Sequence, residues 1–295
     1  MAKDLLDKVL QQAQTSVNIR SIKDGVTFAT SPLNSIDSDP LIADALNRIL
    51  ADYGDSVSVK NKAKSLLKFG LNPNVGTSRA TIWYTGQDQA NETYVADNVN
   101  SIDTVSSNSG SDTEVVTVEG HTMTGGNRTF VVQNITLLGQ NKATLATPLN
   151  RCSRLYHAGQ SATNLVGEIY VYEDTAIVSG KPSDTTKIHL TVAAGRNQSE
   201  KASTSLASTD YWIVTGFRGS VIEKTAAFAD VALEVRPVGG VFREVEDVTA
   251  SNNAAGILQF APYLIIPKNS DVRLVAVADG AGTEVSGSTQ GFLAS

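Results

Sequence analysis

The sequence is 295 residues long, 41% apolar and only 18% charged, with a formal net charge of −6. A chain of that size can bury a sizeable core, in two ordinary domains or one large β-fold, and its acidic balance argues against a nucleic-acid partner, which needs a concentrated basic surface. A single cysteine, Cys152, excludes an intrachain disulfide, and His121, His157 and His189 offer no Cys/His zinc pattern.

In "MAKDLLDKVLQQAQ" the residues Leu5, Leu6, Val9 and Leu10 repeat at helical spacing, which predicts an amphipathic helix over 3–14. The acidic residues there do not fit a cleaved export signal, and no run of about 18 apolar residues occurs in the chain. The expectation is synthesis in a cytoplasm without export by a cleaved signal, and no membrane partner. From Thr15 to Asp37 the chain shows no period and reads as an extended arm. A second helix is signalled by Asp39 as N-cap, Pro40 in the first turn and a stripe of Leu41, Ile42, Ala45, Leu46, Ile49 and Leu50. Next, "VKNKAKSLLKFG" clusters Lys60, Lys62, Lys64 and Lys68, which reads either as a solvated helix face or as a patch that docks on an acidic partner.

After Pro73 the character changes. "ATIWYTG", "ETYVAD", "EVVTVEG" and "TFVVQNITLLG" are short runs rich in Val, Ile, Thr and aromatics, separated by Gly, Asn, Ser and Asp, the pattern of antiparallel strands. "HTMTGGNR" reads as the reversal between two of them, with Gly125 and Gly126 supplying positive φ and His121 at the hairpin tip. "KIHLTV" alternates, Ile188, Leu190 and Val192 to one face and Lys187, His189 and Thr191 to the other. "VALEVRPVGGVFREVE" alternates through Val231, Leu233 and Val235 and turns at Pro237 to Gly240. "YLIIPKNSDVRLVAVA" is strand, polar turn at Lys268 to Ser270, and strand again. The fold class is therefore mainly β: antiparallel β-sandwich or jelly-roll domains preceded by a short helical N-terminal arm. The expected division is an anchoring arm over 1–75, a small β-domain over 76–150 and a β-sandwich over 151–295, joined at "TPLNRCSRLY".

No catalytic motif emerges. "SGKPSD" fails as a phosphate loop because proline follows its lysine, and no serine stands in a glycine-flanked nucleophile elbow. The three histidines lack a carboxylate or second ligand at recognisable spacing; His189 is placed on the outward face of its strand and His157 in a loop. Cys152, between Arg151 and Arg154, reads as a half-buried structural thiol, although the two cations could lower its pKa. Adjacent Glu173 and Asp174 point to opposite sides of a strand end. Tyr170, Tyr172 and Trp212 are candidate surface aromatics for stacking on a sugar, with a core or subunit-interface cluster as the preferred reading.

Taken together, "TLATPLNRCSRLY", "GEIYVYED", "KIHLTVAAGRNQSEKASTSLASTDYWIVTG", "VALEVRPVGGVFREV" and "LIIPKNSDVRLVAVADGAGTEVSGSTQGFLA" resemble tailed-bacteriophage virion structural proteins, and "KSLLKFGLNPNVGTSRATIW" extends the likeness to residues 60–295. The resemblance is one of strands and turns and carries over no catalytic residue. It implies a non-enzymatic protein without cofactors, located in the virion, whose arm binds other capsid or head-tail components and whose β-domains oligomerise, with a trimer expected. A head decoration or minor capsid protein is the leading role. A neck adaptor, tail fibre or receptor-binding protein that recognises a host glycan is the alternative. The residues expected to anchor it are Leu5, Leu6, Val9, Leu10, Lys60, Lys62, Lys64 and Lys68.

Overall fold

The alternation of apolar and polar residues is expressed as antiparallel strands in the computed structural model, which describes residues 64–84, 91–159, 164–222, 228–252 and 254–294. The chain opens with β1 (Lys64–Val75) and β2 (Ala80–Thr81). It continues through β3 (Ile102–Ser107), β4 (Val115–Thr124), β5 (Asn127–Thr136), β6 (Ala143–Leu149), β7 (Arg151–His157), β8 (Ile169–Glu173), β9 (Ile177–Val178), β10 (Lys181–Pro182) and β11 (Ile188–Val192). It closes with β12 (Ser203–Ser205), β13 (Tyr211–Val221), β14 (Phe228–Pro237), β15 (Arg243–Ser251), β16 (Gly256–Ile266), β17 (Ser270–Ala278) and β18 (Thr283–Ala294). Among the described residues no helix is long and apolar enough to cross a membrane.

β1 and β12 to β18 form two sheets, ordered β1-β18-β13-β16 and β12-β17-β14-β15, with β2 added beside β17. Within this set of eight the first strand pairs with the last, the second with the seventh, the third with the sixth and the fourth with the fifth. That is the connectivity of a jelly roll, a long antiparallel hairpin rolled into two facing sheets. The period-2 residues of the sheets meet between them: Trp212, Val214 and Phe217 of β13, Val231 and Leu233 of β14, Leu274 and Ala276 of β17, and Val285 of β18.

A second sandwich is inserted between β2 and β12. Its sheets are β11-β8-β3-β6 and β5-β4-β7, and its core holds Val105, Val116, Val118, Leu149, Cys152, Leu155, Val171, Leu190 and Val192. The expected boundary near residue 150 is therefore corrected. Leu149 ends β6 and Cys152 lies in β7, in opposing sheets, yet both side chains enter one core, so "TPLNRCSRLY" crosses a sandwich and does not join two domains. The jelly roll is built from both flanks of the insertion, a discontinuity that composition along the chain does not reveal.

The arm expected over 1–75 is corrected at its end. "KSLLKFGLNPNV" is β1, paired with β18 from Lys64↔Leu293 to Val75↔Thr283; sheet pairing overrides the helical propensity of its Lys and Leu residues. The predicted helices over 3–14 and 39–50, together with Leu5, Leu6, Val9, Leu10, Lys60 and Lys62, lie outside the described residues.

Turn chemistry sets several registers. Gly125 and Gly126 have φ of 57° and 81° and join β4 to β5 in the two-residue reversal that favours glycine. Gly239, at φ 73°, turns β14 into β15. The reversal at Asn269, φ 57°, differs from a hairpin: β16 and β17 belong to opposite sheets, so Lys268 to Ser270 arch over the core. In "KIHLTV" the alternation is broken by a shift in register between Ile188 and Leu190. Leu190 and Val192 face the inserted core, whereas Ile188 packs with Tyr170 and Tyr172 on the other side of the sheet.

Candidate functional site

Where the two sandwiches meet, the chain buries charge. Asp271, at the start of β17, is fully buried and receives three guanidinium groups. Arg128 of β5 is also fully buried, with Nη1 at 2.9 Å from Asp271 Oδ1 and Nη2 at 3.0 Å from Oδ2. Arg151 of β7 donates from Nε to Oδ1 at 3.1 Å, and Arg236 of β14 from Nε to Oδ2 at 3.0 Å. Ser205 Oγ donates to Oδ1 at 2.6 Å. Asp97 is the second carboxylate: it accepts from Arg128 Nη2 at 3.1 Å, pairs with Arg151, and accepts from the Gly239 backbone N–H at 2.8 Å. Tyr94 lies against the group, with the Arg236 guanidinium 4.6 Å and that of Arg151 5.2 Å from its ring centroid.

Electrostatics follow from that packing. Burial by itself would raise the Asp271 carboxyl, but Arg151, Arg128 and Arg236 outweigh it and, with the Ser205 hydroxyl, hold its pKa at about 2. Three guanidinium groups against two carboxylates leave the cluster with an excess of positive charge. Removing one partner from such a set strands the others out of water, so it locks the two sandwiches in one register.

A second knot lies at β1 and β7. In the β4–β7 ladder Glu119 pairs with Arg154 and Gly120 with Cys152, leaving Ser153 as the extra residue of a β-bulge. The freed Ser153 carbonyl accepts from Lys68 Nζ at 2.7 Å, and the preceding Cys152 carbonyl accepts from Lys201 Nζ at 2.7 Å. Lys201 also pairs with Glu92 at 2.6 Å, whose other oxygen accepts from Ser203 Oγ at 2.6 Å. Gly120 permits the bulge: a Cβ there would stand 2.2 Å from the Arg151 carbonyl oxygen.

The predicted site residues fare differently. Lys64 is exposed, but Lys68 is buried and turned inward, so the proposed basic face does not extend to it. Tyr170, Tyr172 and Trp212 are buried, the tyrosines with Ile188 and the tryptophan in the jelly-roll core, which removes them as a sugar-stacking surface. His121 is corrected from a hairpin tip to the middle of β4, opposite Phe130; it is buried, its Nδ1 has no hydrogen-bond partner among the described residues, and burial first, then Arg128, lowers its pKa to about 3. His189 is not outward: Nε2 meets Glu173 Oε1 at 3.0 Å and Nδ1 meets the Thr93 carbonyl at 3.2 Å. Ser101 Oγ donates to the other Glu173 oxygen at 2.6 Å. Both ring nitrogens of His189 are thus engaged and neither faces a hydroxyl, so the Ser101–Glu173–His189 set has no nucleophile–base contact. Asp174 pairs with Lys142, whereas Glu173 is engaged by His189 and Ser101, so the two adjacent carboxylates have different partners. Cys152 is buried, and burial pushes its thiol up to about 11 against the opposing effect of Lys201 and Lys68. Among the described residues no group of three or more His, Cys, Asp or Glu could hold a metal ion.

No family model matches the sequence. No curated protein matches it either. Among solved structures, the infectious bursal disease virus VP2 subviral particle is 12% identical, with 84% of this chain and 77% of that chain covered and a TM-score of 0.22. The structure of the Gt strain of that virus is 11% identical over 84% and 77%, with a TM-score of 0.20. At such scores the fold rests on this chain's own strand order.

Sequence reasoning missed the charged seam. Its bonded members are separated by as many as 143 positions, as Arg128 and Asp271 are, and no local period marks them. The only signal was indirect: arginines and an aspartate beside strongly apolar strands in a chain with few charges.

Proposed function

We propose that the protein is a non-enzymatic structural component of a tailed-bacteriophage virion, a head decoration or minor capsid protein, with residues 1–63 as its attachment arm. The observation that carries this reading is the jelly-roll strand order, with pairs first-to-last through fourth-to-fifth. Viral capsid proteins use this architecture, as do lectins and cupins. The stretches that resemble phage virion proteins supply the strands of both sandwiches, from "TLATPLNRCSRLY" in β6 and β7 to "LIIPKNSDVRLVAVADGAGTEVSGSTQGFLA" in β16, β17 and β18. A stable disulfide-free module of this kind suits assembly in a reducing cytoplasm, where oligomer contacts add stability. The inserted sandwich, placed in the first connection of the roll, is the element free to project or to pack against a second copy.

Electron microscopy of particles carrying a label at the C-terminus tests the assignment. Label distributed over the head is the expected result; label at the neck or the tail tip would move the protein to an adaptor or receptor-binding role, and its absence from purified particles would overturn the reading. Deleting the first 15 or so residues should abolish incorporation, and normal incorporation would refute the anchoring role of Leu5, Leu6, Val9 and Leu10.

A further inference from the structure

Lys68 of the β1/β7 knot has no carboxylate in ion-pair contact among the described residues, although Glu119 lies near enough to favour its charge. Its side chain is buried and its ammonium donates to the Ser153 carbonyl. Lys201, beside it, has Glu92. A buried ammonium without a counter-charge is costly unless an anion reaches it. Access exists: Lys68, Lys201, Ser153, Arg154 and Ser199 line an open pocket of about 320 Å³ bordered by Leu67 and Phe69 of β1. Ser153, the bulge residue, is buried and its Oγ has no hydrogen-bond partner among the described residues. Lys68 and Ser153 thus meet at the pocket, ammonium to carbonyl, with the half-buried guanidinium of Arg154 next in sequence, where it donates to Gln198 Oε1 at 3.1 Å and lies 4.7 Å from the Tyr156 ring centroid.

We infer that this pocket binds a small oxyanion, a phosphate or carboxylate group, through the Lys68 ammonium and the Arg154 guanidinium, with the Ser153 hydroxyl turning to donate. A backbone bulge that re-aims one residue of a ladder is a common way to build such a site. The charged groups around Lys68 are Lys201 and Arg154, which disfavour its ammonium, and Glu119, which favours it; burial is the largest influence and lowers its pKa to about 8, leaving the cation in place at neutral pH. An oxyanion would relieve the mutual repulsion of Lys68, Lys201 and Arg154 and join the jelly-roll strand β1 to β7 of the inserted sandwich. The inference does not depend on the virion role.

The test is calorimetric titration and thermal unfolding of the full chain at pH 7 with sodium phosphate or sodium acetate, each against sodium chloride at equal ionic strength. Saturable binding and a rise in Tm with at least one oxyanion are expected, and the stronger of the two identifies the ligand group. Lys68→Met should abolish the effect and Arg154→Gln should weaken binding about tenfold. No gain over chloride with either anion, or unchanged binding in Arg154→Gln together with Lys68→Met, would overturn the site. Should Lys68→Met fail to fold, competitive acetylation of the unaltered protein, read by mass spectrometry, decides the matter: the oxyanion should protect Lys68 several-fold and leave exposed Lys64 unprotected, and equal labelling of Lys68 with and without it refutes the proposal.

Discussion

Arg128 and Asp271, both without solvent exposure, meet at 2.9 Å across the junction of the inserted sandwich and the jelly roll. Because Asp271 is the common acceptor for Arg128, Arg151 and Arg236, its loss should be felt by all three. Asp271→Asn should destabilise the protein by about 3–5 kcal/mol, the range for breaking a buried ion pair from one side. Arg236→Gln, at the more accessible rim, should cost less, about 1–2 kcal/mol. Urea unfolding monitored by tryptophan fluorescence measures both; a loss below about 1 kcal/mol for Asp271→Asn would show that the seam does not hold the sandwiches together.

Acid should act on the fold earlier than carboxylate titration alone would bring about. The His121 imidazole, at about 3 when folded, remains neutral while the unfolded chain takes up a proton near 6.5. A depressed folded pKa means that its favourable contribution is complete above pH 6.5 and declines by about 1.4 kcal/mol per pH unit below it. Asp271, at about 2, and Glu173, held at about 2 chiefly by its hydrogen bond to His189, add losses only below about pH 4.5. His121→Leu should flatten the limb between pH 6.5 and 4.5 and leave the lower one. Identical pH profiles for the two proteins would rule out His121 as the source.

Two glycines with positive φ should respond very differently to alanine. A Cβ at Gly126 meets nothing within 4 Å, so Gly126→Ala should cost only the backbone term, about 1 kcal/mol. At Gly180, φ 79°, a Cβ would stand 1.8 Å from the Ser107 carbonyl oxygen, and Gly180→Ala should cost about 3 kcal/mol or more. Comparable midpoints for the two variants in thermal unfolding would contradict the packing of β9 and β10 against β3.

The Cys152 thiol should be inert in the native protein. Burial raises it to about 11 and shields it, so a disulfide reagent at pH 8 should label it only at the rate of unfolding. Stoichiometric labelling within seconds in the absence of denaturant would contradict its place in the core.

Much of the strand content was legible because it is written in short range. Val231, Leu233 and Val235 alternate, Gly239 turns, and the paired glycines at 125 and 126 mark a reversal; each needs only neighbours in sequence. What lay beyond reach was decided by partners far along the chain. Lys68 sits in a lysine-rich run that reads as a helix face, and only the pairing of β1 with β18 turns it inward. His189 sits at a formally outward position, yet it falls at the register shift of a strand buried on both faces, where Glu173 and the Thr93 carbonyl receive it. Asp271 stands at the start of an ordinary alternating strand, and nothing near it in sequence announces three arginines. The discontinuous jelly roll was hidden for the same reason, since β1 carries no mark of its partner.

The nesting of one sandwich inside the other imposes an order in time. As the chain emerges during synthesis, every strand that lines the inserted core is available once Val192 has been made, whereas β1 must wait for Thr283 to Ala294 before its edge is paired. Until then β1 is an open edge with partly apolar residues, the kind of strand that recruits a neighbouring chain. Closure of the roll by β18 is therefore also the step that ends the nascent protein's exposure to misassembly, and substitutions in β18 should lower soluble yield more than their effect on the finished fold would suggest.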